Sequence, residues 1–352
     1  MARRSRRLAR SYLALVQRDG LSAALMGPAV GGQGAAERVR AILESTDDYV
    51  TDPLSGLSTL QDVLDLRVAE VEAAALSLDL RFDPRNIVTA LYPFGDVNAW
   101  NAPANGGDLI LVSRGGLGLA FLTLKINMMS ASMFGEPALI DRDQTVAALA
   151  DVFAAHFRYG DPWRAPRLPS LTGHREVMLD LLVNAAARFV IGHEYAHVIG
   201  GHAHADKVTL KSMDSAVEVH TRLSDDEFAA DRAGARLVLA DQRLAAAAEQ
   251  DPHFVRRHGL ATVAAATGPM CLVLLDLVLH ELDGDLKVTG YPPASTAHPH
   301  PSKRWDALWP VVEHEYARQA TPPQPLELPG GLMRWFENLF TDLVPAVRQR
   351  LA

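Results

Sequence analysis

Residues 189–204 read FVIGHEYAHVIGGHAH, and within them residues 193–197, HEYAH, fit the pattern HExxH. Residues four apart share one face of an α-helix, so His193 and His197 can direct their imidazoles at one point. Two such nitrogens suit a metal ion such as Zn²⁺, and Glu194 can reach a water bound to that ion. The stretch therefore predicts a metal-bearing helix on which the rest of the chain packs.

The residues around this motif also favour a helix. Apolar side chains recur at steps of three and four, which is the period of one helix face; they are Met178, Leu181, Leu182, Ala185, Phe189, Ala196 and Ile199. Gly200 and Gly201 mark the end of the helix. The alternative is an ordinary core helix that happens to carry two histidines.

Composition limits the classes of protein to consider. The chain has 352 residues, of which 48% are hydrophobic and 22% charged, which is typical of a globular protein with a large core. The net charge of −8 argues against a general nucleic-acid-binding protein. Five arginines in the first ten residues form a basic arm, which predicts a solvated tail or contact with an anionic surface. Cys271 is the single cysteine, so no intrachain disulfide can form, and we expect a cytoplasmic protein.

One segment, residues 260–279, is apolar enough to raise the question of a membrane span. Asp276 is its sole charged residue, and Gly268 and Pro269 stand at its middle. Because proline interrupts helical hydrogen bonding, the segment favours a buried helix broken near Pro269 over a span. We therefore expect no integral membrane span, while peripheral contact with a membrane stays open.

Two short β-prone runs, residues 86–91 and 108–113, flank a turn-rich connection over residues 97–107. Two interpretations stay open. The runs could form a simple hairpin packed on the core. Alternatively, they could form a small β-sheet beside the HExxH helix, one edge of which takes an extended peptide by strand addition.

Residues 224–231, SDDEFAAD, offer a third metal ligand. A zinc ion held by two histidines needs one more protein ligand, which leaves the fourth position for water. Glu227 lies far enough past His197 for a second helix to return alongside the first, and Asp231 lies one turn further along it. Asp231 could hold a ligand histidine through its other ring nitrogen. The alternative is a capping box, in which Glu227 pairs with Ser224 and only satisfies backbone N–H groups.

Three further segments give weaker signals. Residues 291–301, YPPASTAHPHP, form a proline-stiffened loop that could direct His298 or His300 at a developing oxyanion, or could leave both histidines exposed. His156 lies in an apolar run and is interpreted as a core or rim histidine. The helix predicted over residues 332–347 has an apolar face that we expect to dock on the body of the protein.

Four pieces of the chain match, in order, the motifs of one family. Residues 97–117 resemble its asparagine-alanine-aromatic segment and edge strand, and HEYAH is its HExxH. Residues 227–231, EFAAD, match its ExxxD, and residues 295–304, STAHPHPSKR, resemble its S-T-H-P loop with an extra alanine. The chain thus resembles the gluzincin zinc metallopeptidases related to the CAAX prenyl protease and the HtpX heat-shock protease, in a soluble form.

This resemblance implies a role for each matching residue. His193, His197 and Glu227 would bind one zinc ion, with Glu194 as the general base and His298 as a catalytic donor. Asp231 and Arg304 would hold the metal ligands in position without binding the metal themselves. Substrate would be bound at Asn98, Ala99 and Trp100, and Tyr195 could be a further donor.

The resemblance also implies a predominantly helical α+β, zincin-like fold with a small β-sheet beside the HExxH helix. Its metallopeptidase domain would cover residues 86–320. An N-terminal helical region with the basic arm would precede it over residues 1–85, and a linker with a C-terminal amphipathic helix would follow over residues 321–352.

The implied activity is endopeptidase cleavage of a protein or peptide substrate, with no nucleic-acid partner. Three alternatives remain. One is a non-catalytic regulatory or docking module that zinc staples together. Another is a zinc amidase that acts on something other than protein. The third is a peptidase of the phage-exclusion type that cuts a host protein, which the chain resembles more faintly.

Overall fold

The computed structural model describes residues 60–92, 99–104, 107–132, 135–201, 207–212, 215–220, 224–248, 254–286, 299–319 and 327–352. The long helices in these ranges are α1 (Leu60–Ser77), α2 (Arg114–Ser130), α3 (Arg142–Tyr159), α4 (His174–Ile199), α5 (Ser224–Ala248), α6 (Phe254–Leu286), α7 (Pro301–Ala317) and α8 (Glu327–Leu351). The strands are β1 (Ile87–Tyr92), β2 (Ala99–Ala104), β3 (Gly107–Ser113), β4 (Lys207–Ser212) and β5 (Ser215–His220). The predicted class, a largely helical α+β protein, is confirmed.

Helix α4 carries the HExxH motif and is the central element. It packs against α1, α2, α5 and α6, and against strands β2 and β3. Most of the predicted apolar positions are buried, but so are Ile191 and Tyr195, which face the sheet and α1. The helix is therefore covered on several sides. It ends as the sequence predicts, with the N–H of Gly200 donating to Ala196 O at 2.8 Å.

The small sheet lies beside α4, as predicted, but its topology is not a simple hairpin. Its strand order is β1-β3-β2, with β1 parallel to β3 and β2 antiparallel to it. The hairpin interpretation is wrong because the turn-rich connection supplies β2 itself, which takes the antiparallel position. A second pair, β4 and β5, is antiparallel and lies between α4 and α5 in the chain, and β5 runs near β2.

Helix α6 is continuous through Pro269, so the expected break is absent. A Cβ atom on Gly268 would lie 2.7 Å from the Cβ of Ala185, which shows that α6 crosses α4 closely at this glycine. Among the described residues, one stretch, Gly259–Leu282, has the length and apolar character to cross a membrane, and 78% of its most apolar window is buried inside the protein. Such burial is also the pattern of a core helix.

The closing helix docks on the body, as predicted. Helix α8 packs against α3 and α6 through four buried side chains, Leu339, Leu343, Val344 and Val347. At its rim Arg142 pairs with Asp342 at 2.8 Å. The basic arm, most of the N-terminal helical region and the linker at residues 321–326 lie outside the described residues. The part of that region that is described, α1, packs against α4 and α5.

Candidate metal centre

Helices α4 and α5 bring three buried side chains, His193, His197 and Glu227, to one point. The two Nε2 atoms are 3.1 Å apart, and each lies 3.4 Å from a carboxylate oxygen of Glu227. Zinc bonds of about 2.0–2.1 Å at tetrahedral angles would separate ligand atoms by about 3.3 Å. The three side chains therefore form a group that can hold a metal ion.

The charges around this group favour a cation. Burial alone would lower the pKa of His193, but hydrogen bonds and charge from Asp231 and Glu227 raise it to about 9. Carboxylates that attract a proton to an imidazole in a dry site also attract a metal ion there. Glu227 has no exposed surface, so its charge needs such a partner.

Two glycines let helices α4 and α5 approach each other closely. A Cβ on Gly234 of α5 would lie 3.0 Å from the backbone nitrogen of His193, and a Cβ on Gly192 would lie 3.3 Å from the Cα of Gly234. Side chains at either position would push α4 and α5 apart. This crossing therefore determines how near Glu227 comes to the two histidines.

Asp231 hydrogen-bonds His193 at the ring nitrogen that faces away from the candidate metal position. Its Oδ1 is 2.9 Å from His193 Nδ1, and an ionised carboxylate can only accept, so Nδ1 carries the hydrogen. The Nε2 lone pair of His193 is thereby left for a metal. Burial would raise the pKa of Asp231, but the charge and hydrogen bonds of Arg304 hold it well below its usual range.

Arg304 on α7 binds Asp231 in a bidentate manner. Its Nε donates to Asp231 Oδ2 at 2.9 Å and its Nη2 donates to Oδ1 at 2.8 Å. A third N–H, on Nη1, donates to Asp276 Oδ2 on α6 at 3.1 Å. A chain of ionic contacts thus extends from a candidate ligand across four helices.

Glu194 lies beside the candidate metal group, which consists of His193, His197 and Glu227. It is 2% exposed, and its Oε1 is 3.9 Å from His193 Nε2, the atom that faces the candidate metal position. The carboxylate is therefore near the ligand atoms without being one of the three mutually close groups. Its position leaves the carboxylate beside the candidate metal position and outside the candidate ligand set.

The other sequence-predicted site residues have mixed outcomes. His298 and Asn98 lie outside the described residues. Ala99 and Trp100 are in β2, and Ala99 is buried in the cluster that contains Ile191 and Tyr195. The structure places Ala99 in the core, so its side chain offers no contact surface to a substrate.

His300 and Tyr195 are used elsewhere. His300 caps α7: its Nδ1 accepts from the backbone N–H of Ser302 at 3.3 Å. Tyr195 is fully buried, and its hydroxyl donates to Glu72 Oε1 on α1 at 2.7 Å. Since Tyr195 lies about 200° around the helix from His193, the expectation that it donates within the site is wrong. His156 is a core histidine as predicted, 2% exposed.

Sequence reasoning missed two polar residues, of which Asp276 is connected to the site through Arg304. Asp276 was noted only as the sole charge in an apolar segment. A lone charge in such a segment was the sequence signal that could have indicated an ionic partner. Asn101 in β2 is 1% exposed, and neither polar atom of its amide has a hydrogen-bond partner among the described residues. It follows the asparagine-alanine-aromatic segment directly, and no pattern distinguished it from that turn-rich connection.

The comparisons with known proteins add no relationship. No family model, no curated protein and no solved structure matches the chain. The interpretation of the site therefore depends on its own residues and on the motif resemblance described above.

Proposed function

We propose that the protein is a zinc-dependent endopeptidase of zincin-like, gluzincin type. The observation that carries the proposal is the buried group His193, His197 and Glu227 with the carboxylate of Glu194 beside it. The order of the motifs HExxH and ExxxD, which resembles that of the gluzincins, supports zinc as the metal. One zinc ion would bind per chain.

The reaction divides between the metal and the residues around it. When bound, zinc supplies a Lewis acid that polarises a peptide carbonyl and brings the pKa of a water towards neutrality. Glu194 accepts the proton of the attacking water and returns it to the leaving amine. Asp231 keeps the hydrogen on Nδ1 of His193, and Arg304 keeps Asp231 ionised. Neither contacts substrate, so both are positioning residues.

Strand β2 supports a peptide or protein as the substrate. Among the described residues it stands at the outside of the strand order β1-β3-β2, and it packs against α4. An outer strand can pair with an extended peptide through its main-chain N–H and C=O groups. Strand β5 runs near β2, so the β4–β5 hairpin would border or limit the space that a peptide could enter.

The first test measures metal content and turnover on the same preparations. We expect one zinc by elemental analysis in the wild type, and its loss or sharp weakening in His193→Ala and Glu227→Ala. Glu194→Gln should keep zinc but lose about 10²- to 10⁴-fold in hydrolysis of a peptide library, because only the proton acceptor is removed. Glu176→Gln, an exposed carboxylate at the start of the same helix, is the matched control.

Several results would contradict the proposal. A wild-type protein that takes up no zinc from adequate medium would leave HEYAH as a helix with two histidines. Hydrolysis that survives in purified Glu194→Gln would show that Glu194 is not the general base, and the proposed mechanism would then fail.

A zinc-stapled module without catalysis is the second candidate. The observation in its favour is that the chain from His193 through Asp231 and Arg304 to Asp276 connects four helices, as a structural site would. The buried Glu194 argues against it, because a structural site needs no base and has a closed fourth position. Unfolding on metal removal, with no cleavage of any peptide in the library, would favour this candidate.

A further inference from the structure

Asp276 stands at the outer end of the ionic chain that begins at His193. Between residues 260 and 279 it is the sole charged residue. Its side chain is 40% exposed, whereas the side chains of Arg304 and Asp231 are 14% and 1% exposed. The chain therefore leads from a buried candidate ligand to solvent, and Asp276 is the group at which it ends.

We propose that Asp276 is a positioning residue for the metal centre, acting on His193 through Arg304 and Asp231. The inference rests on the metal-binding part of the proposed function and is independent of what the protein cleaves.

The charges of three side chains connect Asp276 to His193. The pair of Asp231 and Arg304 is neutral by itself, and both oxygens of Asp231 face the guanidinium at 2.8 and 2.9 Å. Oδ1 is therefore shared between Arg304 and the Nδ1–H of His193. Asp276 takes another N–H of Arg304 and makes the three groups together negative. Asp231 then remains a stronger acceptor for the imidazole.

The consequence reaches the metal through the histidine ring. An imidazole that donates from Nδ1 to a strong acceptor is a better electron donor at Nε2 and has less freedom to rotate. Removing the charge of Asp276 leaves Arg304 balanced by Asp231, with a smaller contribution from Glu227, and weakens that acceptor. Loss of a group that hydrogen-bonds a ligand histidine directly typically lowers metal affinity about 10- to 100-fold, and Asp276 acts through two further contacts, so we expect an effect at the lower end of this range.

The test uses the full chain loaded with Co²⁺ or Zn²⁺. Asp276→Asn keeps the shape of the side chain and removes its charge. We expect its zinc affinity, measured by competition with a chromophoric chelator, to fall about tenfold, and the visible absorption of its cobalt form to change. Asp276→Glu keeps the carboxylate and should recover most of the affinity. Asp306→Asn, an exposed carboxylate on α7 two residues past Arg304, should match the wild type.

The outcomes separate a positioning role from a structural one. Wild-type zinc affinity and cobalt absorption in Asp276→Asn would overturn the inference, even if the variant unfolds more easily. Equal losses in Asp276→Asn and Asp276→Glu would also overturn it, because packing rather than charge would then be responsible. If the wild type binds neither metal, the metal centre fails and this inference fails with it. If metal binds as expected but no peptide is cut, only the proposed reaction fails.

Discussion

Glu227 and Asp231 lie one turn apart on α5, and both reach His193, but at opposite ring nitrogens. Glu227 approaches Nε2 at 3.4 Å, where it can share a metal, while Asp231 accepts from Nδ1 at 2.9 Å. Two carboxylates with the same chemistry thus have different roles because the imidazole between them has two distinct nitrogens. The spacing of four residues on one helix face is what makes this division possible.

A histidine away from the site gives a prediction about pH. His156 is buried in α3, and burial lowers its pKa to about 4, compared with about 6.5 in an unfolded chain. The unfolded state therefore binds a proton first as the pH falls, so stability present above pH 6.5 is lost between about 6.5 and 4. From pH 7.5 to 4.5 this loss corresponds to roughly 2–3 kcal/mol.

The measurement is chemical unfolding of the wild type and of His156→Leu at both pH values. Chelator is present throughout, so that release of metal does not contribute. The wild type should lose roughly 2–3 kcal/mol more than the variant over this range. Equal losses in the two proteins would show that His156 does not titrate as its burial implies.

At the scale of elements, the crossings of α4 with its neighbours matter more than the propensity of any one helix. Gly234 lets α5 approach the backbone of α4 beside His193, and Gly268 lets α6 approach it at Ala185. Gly268 stands beside Pro269, where the sequence predicts a break. What the glycine provides is space for a neighbouring backbone.

Gly234→Ala tests the importance of the first crossing. The added methyl would lie 3.0 Å from His193 N and 3.2 Å from Phe189 O, so α4 and α5 must separate by a few tenths of an ångström. We expect a loss of about 1–3 kcal/mol in the free energy of unfolding, the usual cost of overpacking, together with weaker zinc binding.

Gly331→Ala is the matched control for this substitution. A methyl there would meet nothing within 4 Å, in helix α8. It should stabilise by up to about 1 kcal/mol through helix propensity and leave zinc affinity unchanged. If Gly234→Ala behaves like this control, the close crossing does not set the geometry of the metal group.

At the scale of the molecule, the sequence predicted what is local and missed what depends on neighbours. The helix of HEYAH and its two candidate ligands follow from a four-residue spacing within one element. Glu227 stayed ambiguous because a cap and a ligand use the same first turn of a helix, and only the packing of α4 alongside brings Glu227 within reach of both histidines. The strand β2 was hidden in a turn-rich segment because it is created by pairing with β3. The break at Pro269 was wrong for the same reason, since packing on α4 holds the helix together.

The metal group joins α4 to α5, and its ionic chain continues to α7 and α6, so its effect should extend to the stability of the whole fold. A ligand that binds only the folded state stabilises it by an amount that depends on its concentration relative to Kd. At free zinc a hundredfold above Kd, the free energy of unfolding should rise by about 2.7 kcal/mol over the chelated protein.

Thermal unfolding with zinc and with chelator checks this prediction. His197→Ala is the control, since it removes a fully buried ligand and should make the two curves coincide. The stability of the chelated wild type shows whether the fold forms without metal. If it folds cooperatively without metal, the apolar clusters around α4 suffice to form the site, and the buried charges of Glu227 and Asp231 are tolerated in advance of the ion. If the wild-type curves coincide as well, His193, His197 and Glu227 do not bind zinc in the folded protein.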